Sequence, residues 1–154
     1  MSSPQTEVDP RGLRFAATLT AVVLAAVLLT ESASLLAAQA VVFAVGAFAG
    51  VRRSPYSQMF VHVVRPRLGP PAETHDSKPP QFAQLVGLIF AAVGLAGFWA
   101  GLTILGLIAT GLALGAAFLN AAFGLCLGCE MYPFVHRMLP GRVRGGATTT
   151  EVSA

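Results

Sequence analysis

Residues Gln81–Cys129, QFAQLVGLIFAAVGLAGFWAGLTILGLIATGLALGAAFLNAAFGLCLGC, contain not one Asp, Glu, Lys or Arg. A helix spans the hydrocarbon of a bilayer with about 20 apolar residues, so this run is long enough to cross twice. Ala100-Gly101-Leu102-Thr103 reads as its turn, which places one helix over about 82–99 and another over about 103–125. The N-terminal half repeats the plan. Leu13–Thr30 is apolar, Glu31-Ser32 interrupts, and Ala33–Val51 is apolar again. A carboxylate is too costly to leave in hydrocarbon, so Glu31 marks a tight turn at an interface. The halves match in topology but show no internal sequence repeat.

Only 11% of the 154 residues are charged, against about 25% in soluble domains. The fold class that follows is an all-α polytopic membrane protein. Its four transmembrane helices (13–30, 33–51, 82–99 and 103–125) form two helical hairpins joined by the loop 52–81. Residues 1–12 read as a mobile polar N-terminus, 13–137 as a single transmembrane domain and 138–154 as a disordered tail. Arg14, the apolar stretch to Leu29 and Ser32-Ala33-Ser34 loosely resemble a signal peptide with its cleavage site. Apolar sequence resumes at once, which argues against cleavage.

All ten basic residues fall on one side of this arrangement. Arg11 and Arg14 flank the start of the first span. Arg52, Arg53, Arg65, Arg67 and Lys78 lie in the middle loop, and Arg137, Arg142 and Arg144 follow the last span. Short basic loops stay cytoplasmic, so both termini and the loop are expected inside. Topology and attraction to anionic lipid account for the net charge of +3, and nucleic acid is not an expected partner.

Within the loop, Ser54-Pro55 has the form of a helix start, with Ser as cap and Pro in the first turn. Tyr56, Met59, Phe60 and Val63 then recur at helical spacing, which predicts a short amphipathic helix on the cytoplasmic interface, ended by Pro66 and Gly69-Pro70-Pro71. Gln39 needs a hydrogen-bond partner if it faces other helices. Gly97/Gly101, Gly111/Gly115 and Gly124/Gly128 are each four apart, a spacing that lets membrane helices approach closely. Packing within one subunit is the favoured reading of these pairs, with a homo-oligomer left open. Phe98 and Trp99 fit an outer interfacial belt and Tyr132 an inner one.

The only two cysteines, Cys126 and Cys129, stand where charge resumes. Four readings compete. A C-x-x-C pair is an economical redox unit, because residues three apart on a helix sit about 5 Å apart, inside the disulfide window. Against it, the motif ends the fourth helix, where the dipole disfavours a thiolate unless Gly128 stops the helix or His136 or Arg137 folds back. Sulfur or persulfide transfer between the two thiols is the second reading. A metal site is the third, with His136, His62, His75 or Glu130 completing two thiolates. Buried small hydrophobes are the fourth. Each histidine by itself reads as an exposed interfacial residue. No P-loop, GxSxG or HExxH motif is present, so hydrolytic and phosphoryl-transfer chemistry has no visible machinery.

Several short motifs together carry a resemblance. Val8-Asp9-Pro10-Arg11-Gly12, Pro55-Tyr56, Arg65-Pro66-Arg67-Leu68-Gly69-Pro70-Pro71, Pro79-Pro80-Gln81-Phe82-Ala83-Gln84, and Leu119-Asn120-Ala121 before Cys126-Leu127-Gly128-Cys129-Glu130 resemble the bacterial "domain of unknown function 4395" membrane proteins. The resemblance runs from about Val8 to about Arg137. It implies a bacterial inner-membrane location and a soluble thioredoxin-like or rhodanese-type sulfurtransferase partner. Where the family pattern has an acidic pair and an arginine at the loop-to-helix junction, this chain has His75-Asp76 and Gln81, so no role is assigned there.

The expected function is thus a membrane thiol–disulfide or sulfur-relay protein. Cys126 and Cys129 are its catalytic pair, Cys129 is the attacking thiol because it lies nearer water, and Asn120 and Tyr132 shape the pocket. The alternatives are a small channel or carrier for a sulfur-containing anion, and a non-catalytic scaffold subunit.

Overall fold

The structure, a computed structural model, describes residues 7–138. The expected disordered tail beyond Met138, with Arg142 and Arg144, lies outside the described residues, as does the first half, residues 1–6, of the expected N-terminal segment. In chain order the elements are β1 (Glu7–Val8), α1 (Pro10–Thr30) and α2 (Ala33–Ala44), which continues as a wider π-turn over Val45–Ala49. Next come α3 (Pro55–Met59), a π-turn over Phe60–Val64, α4 (Arg65–Leu68) and β2 (His75–Asp76). Then follow α5 (Lys78–Trp99), α6 (Thr103–Phe123) and α7 (Leu127–Met138).

α1, α5 and α6 are long and apolar enough to cross a membrane, and Ala33–Ala49 forms a shorter apolar helix. That helix comprises twelve α and five π residues, at the short end of the roughly 17–25 that span a bilayer. Each helix packs antiparallel on its neighbours. α1 lies against α2 and α6, and α5 against α2 and α6, so the four close into a bundle. Leu24, Val27 and Leu36 are fully buried at its centre, with Phe43, Ala91, Leu95 and Ala113 around them. Val22, Val41, Ile89, Ile104, Ile108 and Phe118 stand exposed on the outside. A water-soluble monomer rarely carries so continuous an apolar surface, whereas acyl chains cover it without cost. The chain is an all-α polytopic membrane protein.

The two hairpin turns fall where the sequence places them. Glu31 closes α1 in the left-handed region (φ 51°), its amide donating to the Val27 carbonyl at 2.7 Å. Ser32 then caps α2 by accepting from the Leu35 amide at 3.3 Å. Gly101 (φ 77°) turns α5 into α6. Four boundaries differ from expectation: α1 begins at Pro10 rather than Leu13, and the second apolar helix ends at Ala49 rather than Val51. α5 begins at Lys78 rather than near Phe82, because Pro79 and Pro80 occupy first-turn positions that need no amide donor. α6 stops at Phe123 rather than Leu125.

The loop helix is also different. Phe60 is buried against α1, its ring 5.7 Å from that of Phe15 and packed over Gly12. Met59 and Val63 face outward. Ser54 occupies the cap position, but its buried side chain makes no capping bond. Pro66 does not end the helix. It sits in the first turn of α4, behind the π-turn, where the wider spacing accommodates a residue without an amide donor. Gly69 (φ 71°) is the true stop. Asp9 caps α1 by accepting from the Arg11 amide at 2.9 Å, and its carboxylate pairs with the Arg11 guanidinium at 3.1 Å. Arg11 also donates to the Gly69 carbonyl at 3.2 Å, and Val8 pairs with His75 across the β1–β2 bridge. These contacts fasten the loop to the start of α1.

Of the five spaced glycines whose surroundings are described, Gly97 alone makes a close interhelical contact. A Cβ at Gly97 would lie 2.7 Å from the Gly106 nitrogen and 3.2 Å from the Leu102 carbonyl oxygen, both backbone. Gly101 and Gly124 are left-handed turn residues, Gly111 and Gly115 face open space, and Gly128 falls in α7. Gly106, outside the spaced pairs, is covered by Phe98, which therefore packs inside the hairpin, while Trp99 is exposed at its end. Gly97→Ala should destabilise the protein by about 1–3 kcal/mol. Gly111→Ala and Gly115→Ala should stay within about 0.5 kcal/mol of the parent. Unfolding of the three variants by titrated SDS in mixed micelles measures the difference, and equal stabilities would contradict the packing.

Candidate functional site

The site begins where α6 ends. Gly124 adopts the left-handed conformation (φ 69°, ψ 13°), open to glycine without steric cost. Its amide turns back to the Asn120 carbonyl at 3.0 Å and that of Leu125 to the Leu119 carbonyl at 3.3 Å. Arg14 of α1 donates to the Ala121 and Ala122 carbonyls at 3.2 and 3.3 Å, placing a cation on the last turn of α6, where the dipole favours it. The chain then reverses through Leu125, and α7 starts.

The first helical hydrogen bond of α7 runs from the Glu130 amide to the Cys126 carbonyl at 2.9 Å. Cys126 therefore occupies the N-cap position, and Cys129 lies one turn in. This corrects the reading that the motif ends the fourth helix. Gly124, not Gly128, stops that helix, and the motif opens a new one. The dipole argument against a thiolate reverses with it, because free first-turn amides and the positive helix end favour negative sulfur. The Cys126 and Cys129 sulfurs are paired as a disulfide, with Cα atoms 5.1 Å apart. Both residues are half-buried.

α7 packs on α5, where the Tyr132 and Phe82 rings meet edge-on at 6.0 Å. The helix runs through Pro133 rather than breaking there. Proline has no amide to offer the Cys129 carbonyl four residues earlier. Leu127, Met131, Phe134 and Met138 recur at helical spacing on the exposed side.

A half-open cavity of about 330 Å³ lies between the helices and reaches Cys126, with the exposed Leu127 and Met131 at its rim. α1 contributes Ala16, Ala17 and Thr20, α5 contributes Ala83 and Gln84, and α6 contributes Ala113, Ala117 and Asn120. Ser54 and Ser57 line it from the loop side, and Leu127 and Met131 from α7. No charged side chain lines it. Asn120 lines the same cavity as Cys126, whereas Tyr132 is not among its lining residues and packs on Phe82 of α5. Thr20, Ser54, Ser57 and Gln84 were not anticipated. Gln84 alone carried a signal, as an amide within an apolar span. Its Oε1 is buried against Gly46 with no hydrogen-bond partner among the described residues.

Above this site, Gln39 is buried and accepts from the Tyr56 hydroxyl at 2.7 Å, so its partner comes from the loop helix rather than another span. Burial pushes the Tyr56 hydroxyl above its ordinary range, so it remains a donor at neutral pH. A second, open groove of about 890 Å³ carries Arg52, Arg53 and Arg65 and does not include the cysteines. His62 and His75 are exposed and line neither cavity. Among the described residues no three His, Cys, Asp or Glu side chains gather as a metal site. The side chain of His136 lies outside what is described.

Over residues 8–137 the chain matches the family described as "Domain of unknown function (DUF4395)", and it belongs to that family. No curated protein and no solved structure matches it.

The turn that separates the last span from the thiols rests on Gly124. Gly124→Ala forces a side chain into the left-handed region and should cost about 1 kcal/mol of stability. Thermal unfolding in detergent reads this as a lowered midpoint, and an unchanged midpoint would contradict the turn.

Proposed function

We propose that this family member is a membrane thiol–disulfide protein whose Cys126 and Cys129 exchange with a soluble thioredoxin-like or sulfurtransferase partner. The observation that carries the reading is the position of the pair, which opens a helix beside a half-open cavity between the helices. A thiol at a helix start is favoured as thiolate, the form that attacks a disulfide or a sulfane sulfur. Cys129, one turn in and outside the cavity lining, exchanges with the partner; Cys126, at the cavity wall, resolves the mixed disulfide.

The location that goes with this reading is the bacterial inner membrane, with both termini and the loop on the cytoplasmic side. The distribution of basic residues supports that orientation. On the cytoplasmic side structural disulfides rarely persist, so a pair that cycles suits the compartment better than a fixed crosslink. The uncharged wall of the cavity counts against a carrier for a sulfur-containing anion, which would need a cation or a ring of donors.

In membranes from cells making Cys126→Ser, Cys129 lacks its resolving thiol. A covalent adduct should then accumulate that dissolves with dithiothreitol and is absent from the double variant. The absence of any reducible adduct in both single variants would contradict the proposal.

A further inference from the structure

We infer that the cavity beside Cys126 binds a membrane quinone, which takes up the two electrons released when Cys126 and Cys129 form their disulfide. This rests on the thiol reading above and names the oxidant it needs. Four observations converge on a neutral, ring-sized, lipid-soluble acceptor.

The first is volume. About 330 Å³ stands at the lower end of small-molecule sites, roughly 300–1,000 Å³. That admits a substituted six-membered ring rather than a peptide or a folded chain. The second is charge. No Asp, Glu, Lys, Arg or His lines the cavity, so an ionic ligand would lose its hydration without compensation. The third is polarity in the right measure. Most of the wall is Ala, Leu, Val, Phe and Gly, with the amides of Gln84 and Asn120 set among them. An amide can donate to the carbonyl of an oxidised ring and accept from the hydroxyl of a reduced one. The fourth is access. The cavity lies between helices whose outer faces are apolar, so a ligand dissolved in the bilayer approaches without entering water.

The step balances without any further reagent. The Cys126 and Cys129 thiols lose two electrons and two protons and form one S–S bond. The quinone gains both and becomes the hydroquinone, each ring carbonyl oxygen ending as a hydroxyl. Cys126 is the cysteine that lines the cavity, so its sulfur is the one adjacent to the ring, and Cys129 closes the disulfide behind it. A reduced thioredoxin-like partner would restore the dithiol.

The test uses the full chain in detergent micelles, reduced, then freed of reductant and oxygen. The probe is ubiquinone-1, whose fully substituted ring leaves no position open to thiol addition. Quinone absorbance and maleimide mass shift are read together. One quinone should be consumed for each disulfide formed, and none by Cys126→Ser or Cys129→Ser. Gln84→Leu and Asn120→Leu each remove a lining amide and Ala117→Leu narrows the cavity, so each should raise the ubiquinone-1 concentration that gives the half-maximal single-turnover rate about tenfold more than it lowers the maximal rate. In Cys129→Ser, where no disulfide can form, ubiquinone-1 should slow the labelling of Cys126.

If the dithiol reacts with oxidised glutathione while ubiquinone-1 stays oxidised, the quinone inference falls and the thiol reading stands. If neither oxidant is reduced, both fall. Quinone reduction with an unchanged half-maximal ubiquinone-1 concentration in all the cavity variants, or unslowed labelling of Cys126, also overturns the inference.

Discussion

In hydrocarbon no water meets a bare amide or carbonyl, so every stretch of this chain within the bilayer must satisfy its own backbone. That constraint makes the apolar runs helices and confines irregular chain to their ends. It also disciplines the few polar side chains. Thr18, Thr30 and Thr110 bond back to carbonyls of their own helices at 2.7–2.8 Å, and Gln81 reaches the Ala47 carbonyl at 2.7 Å, where the π-turn ends α2. Arg14 covers the carbonyls that α6 leaves open. The exceptions to this economy are Gln39 Nε2 and Gln84 Oε1, buried without partners among the described residues. One of them belongs to a residue lining the cavity beside the cysteines.

The same constraint explains where the thiols can be. The chain leaves its last long helix at Gly124 and starts another at Leu127, and the irregular residues between them lie at the end of the bundle. A C-x-x-C placed two turns earlier would sit inside α6 with its backbone locked. Placed after the reversal, it opens a helix of its own. α7 is then held to the bundle by the Tyr132–Phe82 contact and by the short path from Gly124.

Much of the fold was legible because burial in lipid leaves a coarse signal. The absence of charge from Gln81 to Cys129 and the single interruption at Glu31-Ser32 locate the helices and both tight turns. The short motifs also make sense locally: in Val8-Asp9-Pro10-Arg11-Gly12 the residues pair with β2, cap α1, start it, anchor the loop and make room for Phe60. What could not be read was the choice between glycines. Gly124 and Gly128 both precede or enter the motif, and only backbone conformation tells which one stops α6. That choice decides whether the cysteines see the negative or the positive end of a helix. The cavity was equally hidden, since Thr20, Ser54 and Ser57 lie far apart in sequence and each has an ordinary local explanation.

The account turns on whether Cys126 and Cys129 change state in the cell. The direct measurement is mass-shift alkylation of the chain after rapid acid quench, with the thioredoxin system intact or removed and with a sulfane sulfur donor present or absent. The account predicts that the pair moves between dithiol and disulfide as those conditions change. Thiols that stay reduced under every condition and label only after denaturation would contradict it.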